Sequence, residues 1–304
     1  LQQYTNLNFD DIKTSIKDYL RANSNFTDFD FEGSNLSVLI NLLAYNTYIT
    51  AFNTNMAVNE TFIDSATLRE NVVSLARNIG YVPRSKRAAK AKIDYFIGDL
   101  ATTVDTIKFQ PGIISNGRVS STSYIFSIPE QVTGTAENGE AVGTLDIFQG
   151  QYLETNFVVD GSQKNQKFIL PNNSIDTSTI KVKVRDNISS TTVTEFNLVD
   201  NILGITSTSN IYLIQETTDE KYELLFGDDI FGKKLSDGNV VEISYIRTEG
   251  SSGNGVRDFT FAGKLIDQNG ATLQNFTPIL NVNEPSDNGD EIESLQSVKY
   301  YAPR

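Results

Sequence analysis

Three carboxylates crowd one short stretch of this sequence: Asp228, Asp229 and Asp237 lie within Leu225-Phe226-Gly227-Asp228-Asp229-Ile230-Phe231-Gly232-Lys233-Lys234-Leu235-Ser236-Asp237-Gly238. Two carboxylates roughly 5 to 9 Å apart suffice for glycoside hydrolysis, a reaction that needs neither His nor Cys. The chain has no His and no Cys, which removes the commonest general base, thiolate nucleophiles, thiolate metal sites and disulfides. Against catalysis, Asp in a Gly-rich turn bonds its own backbone and tolerates left-handed geometry, and there is no Trp to floor a sugar cleft. The structural reading of these aspartates outranks the catalytic one, and no catalytic, cofactor-binding or metal residue is assigned. A second acidic run, Asp28-Phe29-Asp30-Phe31-Glu32-Gly33, begins like a calcium loop, but Leu39 stands where the bidentate Glu belongs. It reads instead as an extended entry anchored by Phe29 and Phe31, with Ser34 capping the helix that follows.

The aspartates must be positioned by the apolar runs beside them, 222–226 and 240–246. Val241, Ile243 and Tyr245 alternate with Glu242 and Ser244, the period of a half-buried strand. Two strands around a segment rich in Gly and Asp predict a long hairpin, and a second turn cluster follows at 249–255. Further strands are expected at 93–97, 106–109, 124–128, 144–149, 155–159, 167–170, 179–185, 194–198 and 211–215, separated by turns such as Asn116-Gly117 and Asn138-Gly139. Many short strands in series imply an antiparallel sandwich or barrel-like domain.

Before residue 88 the period is helical. Phe9, Ile12, Ile16, Tyr19 and Leu20 form one stripe over 9–22. Over 35–59, Val38, Leu42, Tyr45, Ile49, Phe52 and Met56 step by four and three beside a second apolar row of Leu36, Leu39, Ile40 and Leu43. That pattern reads first as an intramolecular core and second as a seam for another subunit. A third helix runs from after Ser65 to Asn78 with Leu68, Val72, Leu75, Ala76 and Ile79 inward, Gly80 at its C′ position and Pro83 blocking continuation. Between the regions, Arg84, Lys86, Arg87, Lys90 and Lys92 form a basic patch, read as a linker that is solvated or docks on acids rather than as a nucleic-acid site. The stretch 281–290 reads as a loop and 291–301 as the start of a helix. The fold class is therefore α+β, with a helical N-terminal domain at 1–88, a β-rich domain at 89–280, and a linker and start of a further C-terminal region at 281–304.

The 304 residues have room for two real cores, and 39% hydrophobic content with 18 Phe and 13 Tyr supports packed interiors. A net charge of −13 argues against phosphate-backbone binding. No apolar run approaches a membrane span. The chain begins at Leu1 without Met and ends just after Ala302-Pro303, which reads as a piece of a longer protein.

Three of these stretches also carry a resemblance. Phe226, Gly227 and Asp228, then Gly232, Leu235, Gly238, Tyr245 and the glycine-rich turn at 250–255 resemble the signature hairpin of the baseplate J-like family of contractile phage tails. Leu68 and Arg69 within Asp64-Ser65-Ala66-Thr67-Leu68-Arg69-Glu70-Asn71, running on to Gly80 and Pro83, are similar to the N-terminal part of T-even-type baseplate wedge subunits, as is the stretch 28–34. Gly289-Asp290-Glu291-Ile292-Glu293-Ser294-Leu295 resembles the family's entry into its C-terminal part. The resemblance implies a structural, non-enzymatic wedge subunit without cofactor. It would form a homo-oligomer in a ring around the hub, contact other wedge and hub proteins, and rearrange to trigger sheath contraction. The virion tail baseplate, assembled in the host cytoplasm, would be its location, with neither nucleic acid nor membrane as a partner. A tail-associated glycan-binding or glycan-cleaving protein is the competing expectation.

Overall fold

A computed structural model describes residues 8–23, 34–163, 165–199 and 204–303; the acidic run at 28–33 lies outside them. The chain forms two compact units: the described residues up to Tyr81 with those from Leu295 onward, and Val82–Ser294.

The first unit is helical: α1 Phe9–Ala22, α2 Asn35–Asn59, α3 Arg69–Asn78 and, after the β unit, α4 Leu295–Tyr301. Each end has a local cause. The Asn8 side chain accepts from the Asp10 and Asp11 amides, and Ser34 Oγ accepts from Ser37 N at 3.0 Å. The α3 C-terminus closes with Tyr81 N donating to Ala76 O and Gly80 N to Arg77 O, Gly80 lying at φ 84°. Leu68 supplies no side-chain cap at the other end of α3. A carboxylate from the end of α2 does so instead. Glu60 accepts from Thr67 N (2.8 Å), Thr67 Oγ1 (2.6 Å), Leu68 N (3.3 Å) and Asn71 Nδ2 (2.8 Å). Partial burial works against the charge, but these bonds outweigh it and draw the Glu60 pKa down from 4.5 to about 2.

A depressed carboxylate stabilises the fold above its unfolded pKa and loses that contribution as pH falls through the folded value. The helical unit is therefore expected to weaken between pH 4.5 and about 2. Glu60→Gln should cost about 1–2 kcal/mol at neutral pH and flatten that part of the pH profile, as read by thermal melts of both proteins. Val72 and Ala76 face inward as the periodicity expects, and Leu75 is half-buried, but Leu68 and Ile79 are exposed. These two occupy the N-cap and C-cap, where helical periodicity has not begun or has already ended.

The second unit holds two sheets. One contains β1 Lys90–Gly98, β2 Thr106–Phe109, β3 Gly112–Val119, β4 Thr122–Ile128, β5 Val132–Glu137 and β6 Glu140–Gln149. The other contains β7 Gln151–Val158, β8 Phe168–Ile169, β9 Ile175–Arg185, β10 Val193–Leu198, β11 Ile211–Glu216, β12 Tyr222–Phe226 and β13 Val240–Arg247. The chain then returns to the first sheet with β14 Asp258–Phe261, β15 Leu265–Ile266 and β16 Thr277–Asp287. In the first sheet β16, β1 and β6 are neighbours, and β6 continues both to β4-β3-β14 and to β5-β2-β15. Gly255 N donates to Ser286 O and Ser286 N to Val256 O, tying the approach to β14 against β16 and nearly closing a barrel. Ile93, Ile97, Ile107, Phe109, Ile114, Phe126 and Ile147 fill it.

The second sheet runs β7-β13-β9-β10-β11-β12-β8, antiparallel except for β10 beside β11. It curls around Leu170, Ile175, Val182, Leu224, Val241, Ile243 and Tyr245. An edge-to-face row of Phe157, Phe168, Phe226 and Phe196, with centroids 5.1–5.7 Å apart, crosses this core. The α+β class, with a helical region ahead of an antiparallel barrel-like β region, is what the sequence implied.

Two expectations for the β unit fail. The strands 222–226 and 240–246 exist but do not form a hairpin: β9, β10 and β11 lie between them. The segment 281–290 is mostly not a loop, because β16 pairs with β1 from Gly98↔Thr277 to Lys90↔Asp287. Its polar residues mostly face outward, where Asn283 Nδ2 meets the Asp94 carboxylate at 3.1 Å, while Leu280 packs on the core from the other face.

Candidate interaction surfaces

The aspartates of the central loop are spent on the loop itself. Asp228 Oδ1 accepts from Ile230 N (3.0 Å) and Phe231 N (2.8 Å), and those amide donors, Phe231 first, hold its carboxyl below the usual carboxylate range. Asp229 sits at φ 70°, accepts from Lys234 N at 3.0 Å, and its own N–H donates to Gly232 O. Asp237 Oδ1 accepts from Gly161 N at 2.8 Å. A general acid needs a raised pKa, the reverse of what holds at Asp228.

The remaining motif residues of this stretch serve the loop or the sheet core beside it. Gly227 lies against Gly232, so a Cβ on Gly227 would fall 2.2 Å from the Gly232 carbonyl carbon. Phe226 joins the aromatic row and Gly238 N donates to Val159 O. Tyr245 is fully buried, and its hydroxyl donates to Asn172 Oδ1 at 2.7 Å. Tyr245→Phe leaves Asn172 short of that donor, and a loss of about 1 kcal/mol is expected in urea denaturation. At the tip, Ile230 is 82% exposed.

The glycine-rich turn at 250–255 knits three segments of the β unit. Gln149 Oε1 accepts from Thr248 Oγ1 and Glu249 N, and Glu291 Oε1 accepts from Ser251 N and Oγ. Asn254 and Gly289 exchange bonds. Gly250 stands at φ 66°, and a Cβ there would meet Glu291 Oε1 at 2.7 Å and Asp290 O at 2.9 Å. The basic patch docks on acids of the same chain: Lys86 Nζ on Glu291 at 2.9 Å, Lys90 on Asp146 at 2.8 Å, and Arg84 near Asp290 at 3.5 Å. Backbone bonds between Arg87 and Asp290, and from Glu293 N to Arg84 O, zip the same two segments together.

The helical unit differs, because it presents apolar surface. α2 buries Ile40 and Ala44, but Val38 (59%), Leu42 (61%), Tyr45 (57%) and Phe52 (43%) stand exposed, with Ile49 and Met56 half-exposed between them. This is the row at 38, 42, 45, 49, 52 and 56, the spacing of a coiled-coil seam. The simpler expectation, an intramolecular core, does not hold for it, nor for Leu39 (54% exposed) and Leu43 (56%) of the second row; the helix buries Ser37, Ile40, Ala44, Asn55 and Asn59 instead. A signal in the sequence marks this helix, since none of its 25 residues is charged in a chain of net charge −13. Among the described residues no helix is long and apolar enough to cross a membrane. In the β unit, by contrast, every described Phe and Tyr is buried or half-buried.

Comparison with known proteins agrees with this division. Residues 8–81 match the family described as "Baseplate wedge protein gp6-like, helical domain", and residues 161–250 match "Bacteriophage baseplate wedge protein gp6, third domain". Two segments of the chain are thus similar to gp6-like baseplate wedge domains. The first spans α1 to α3, and the second takes in most of the sheet from β8 to β13. Over 302 residues the chain is 33% identical to the baseplate wedge protein gp6 of Enterobacteria phage T4, covering 93% of this chain and 43% of that protein. It thus spans less than half the length of that gp6 relative.

Proposed function

We propose that this chain is a structural, non-enzymatic part of a contractile-tail baseplate wedge, which joins further copies of itself and other wedge and hub proteins and rearranges to trigger contraction. The observation that carries the reading is the uncovered, uncharged heptad row of α2. A row of this size in water is a standing cost unless another helix covers it. The likeness to a T4 wedge protein says what kind of assembly would supply that helix. The bonds spent on Asp228, Asp229 and Asp237 support the non-enzymatic role. The motif at Phe226, Gly227, Asp228, Gly232, Gly238 and Tyr245 supports wider kinship with the baseplate J-like family, and Leu68, Arg69, Gly80 and Pro83 support the T-even type. We take the helical unit as the assembling domain and the β unit, which includes β16 through Asp287, as the body. Triggering would require an interface with two arrangements that differ in their contacts.

Cross-linking mass spectrometry on tail particles carrying the full-length protein tests the proposal. Cross-links from residues 37–78 to a second copy and to other baseplate components are expected. Cross-links only to peripheral fibres or spikes, or absence of the chain from the particle, would sink it.

A further inference from the structure

The loop between β12 and β13 is held far more tightly than a connection requires. Every amide from Asp229 to Lys234 is hydrogen-bonded: Asp229 N to Gly232 O, Ile230 N and Phe231 N to Asp228 Oδ1, Gly232 N to Thr206 O at 3.1 Å, Lys233 N to Ser209 O at 2.8 Å, and Lys234 N to Asp229 Oδ1. The turn that receives two of these bonds is itself closed, with Thr206 N donating to Ser209 Oγ and Ser209 N to Thr206 O. Surface loops usually leave part of their backbone to water and move; this one is fixed along its whole tip.

What the tip displays is Ile230, at 82% the most exposed large apolar side chain among the described residues. A lone exposed aliphatic is ordinary, but apolar surface continues beneath this loop. Gly232 packs on Ile211, where an added Cβ would meet Cγ1 at 2.6 Å. By alternation Leu213 shares the outer face of the sheet with Ile211, and it faces Leu225 across the β11–β12 ladder, the two leucines being 40% and 38% exposed. Charge of both signs rims the tip. Asp228 and Asp229 use Oδ1 inside the loop and remain exposed, and exposed Lys233 has no ion-pair partner among the described residues.

We propose that Ile230 is the centre of a second docking surface and enters an apolar socket on a different protein, whose rim supplies a carboxylate to Lys233 and a cation to Asp228 or Asp229. An apolar centre within a polar rim is the usual build of such an interface, and a backbone already fixed lowers the cost of ordering it. A convex tip needs a concave partner. The clefts of the β unit, of about 850, 520 and 260 Å3, are lined chiefly by polar and charged residues, the largest by Lys90, Lys92, Arg257 and Glu284 among others, so a second copy of this unit offers Ile230 no such socket. The inference rests on the wedge reading for the setting in which the partner is met, and it is independent of the α2 row.

The full-length protein carrying Ile230→Asp, or Ile230→Ser as a milder change, competes with the parent during tail assembly. Both variants should keep the parental urea midpoint. Ile230→Asp should be depleted from particles at least tenfold, Ile230→Ser severalfold, and Ile230→Val retained about equally. In parental particles, zero-length carbodiimide coupling should join Lys233 to an Asp or Glu of a different protein. Incorporation of Ile230→Asp on a par with the parent, a shifted midpoint that makes Ile230 part of the fold, or coupling of Lys233 to no other chain or only to another copy of this one would overturn the proposal and leave the wedge reading standing. Absence of the parent itself from particles would sink both.

Discussion

Gly227→Ala is expected to destabilise the β unit by roughly 3 kcal/mol or more, where an unstrained Gly→Ala exchange would stabilise by about 0.4–1 kcal/mol. The added methyl would meet the Gly232 carbonyl carbon at 2.2 Å and its oxygen at 2.3 Å. Neither atom is free to retreat. Gly232 O accepts from Asp229 N, Gly232 N donates to Thr206 O, and Asp228 fixes the amides of Ile230 and Phe231. Gly238→Ala is the control: its φ of 80° is unfavourable for Ala, but nothing lies within 4 Å of the added carbon, so about 1 kcal/mol is expected. Denaturation midpoints of the two variants separate backbone crowding from backbone angle. Equal losses would mean the loop yields at Gly232 and is not the rigid element described here.

The second large effect falls on assembly rather than folding. Leu42→Glu with Phe52→Glu replaces two exposed side chains of the α2 row, so the free chain should unfold within about 0.5 kcal/mol of the parent. Burying each of these side chains in an interface is worth about 1.5–3 kcal/mol. Losing both, with charge introduced into an apolar seam, should weaken association on the order of 100- to 10,000-fold. In competition with the parent chain during tail assembly, the variant should be almost absent from particles. A variant that folds normally and is incorporated equally would remove α2 from the assembly surfaces.

Much of the architecture was legible because it rests on local periodicity. The spans of α1 and α2 match the sequence expectation, and Ser34 caps α2 as expected. Strands such as β9, with Ile180, Val182 and Val184 inward, also declare themselves by alternation. The failures are non-local. β16 is rich in Asn and Pro and becomes a strand because β1 supplies its ladder, and β3, with two glycines, is held between β4 and β14. The supposed hairpin failed because chain adjacency says nothing of the three strands inserted between β12 and β13.

At the candidate surfaces, the self-bonding of the aspartates followed from residue type. The identity of the covered face of α2 did not follow from period, because a core and a subunit seam demand the same apolar residues at the same spacing. The missing charges along α2 were the available clue.

The central claim, that another subunit covers the α2 row, is tested most directly by thiol labelling. Leu42→Cys and Phe52→Cys each introduce a single thiol on the row, and Asn53→Cys one on the neighbouring exposed face. In the free chain all three should react rapidly with a maleimide. In assembled particles the account expects labelling at 42 and 52 to slow at least tenfold while 53 remains the more reactive. Unchanged labelling at 42 and 52 after assembly would contradict it.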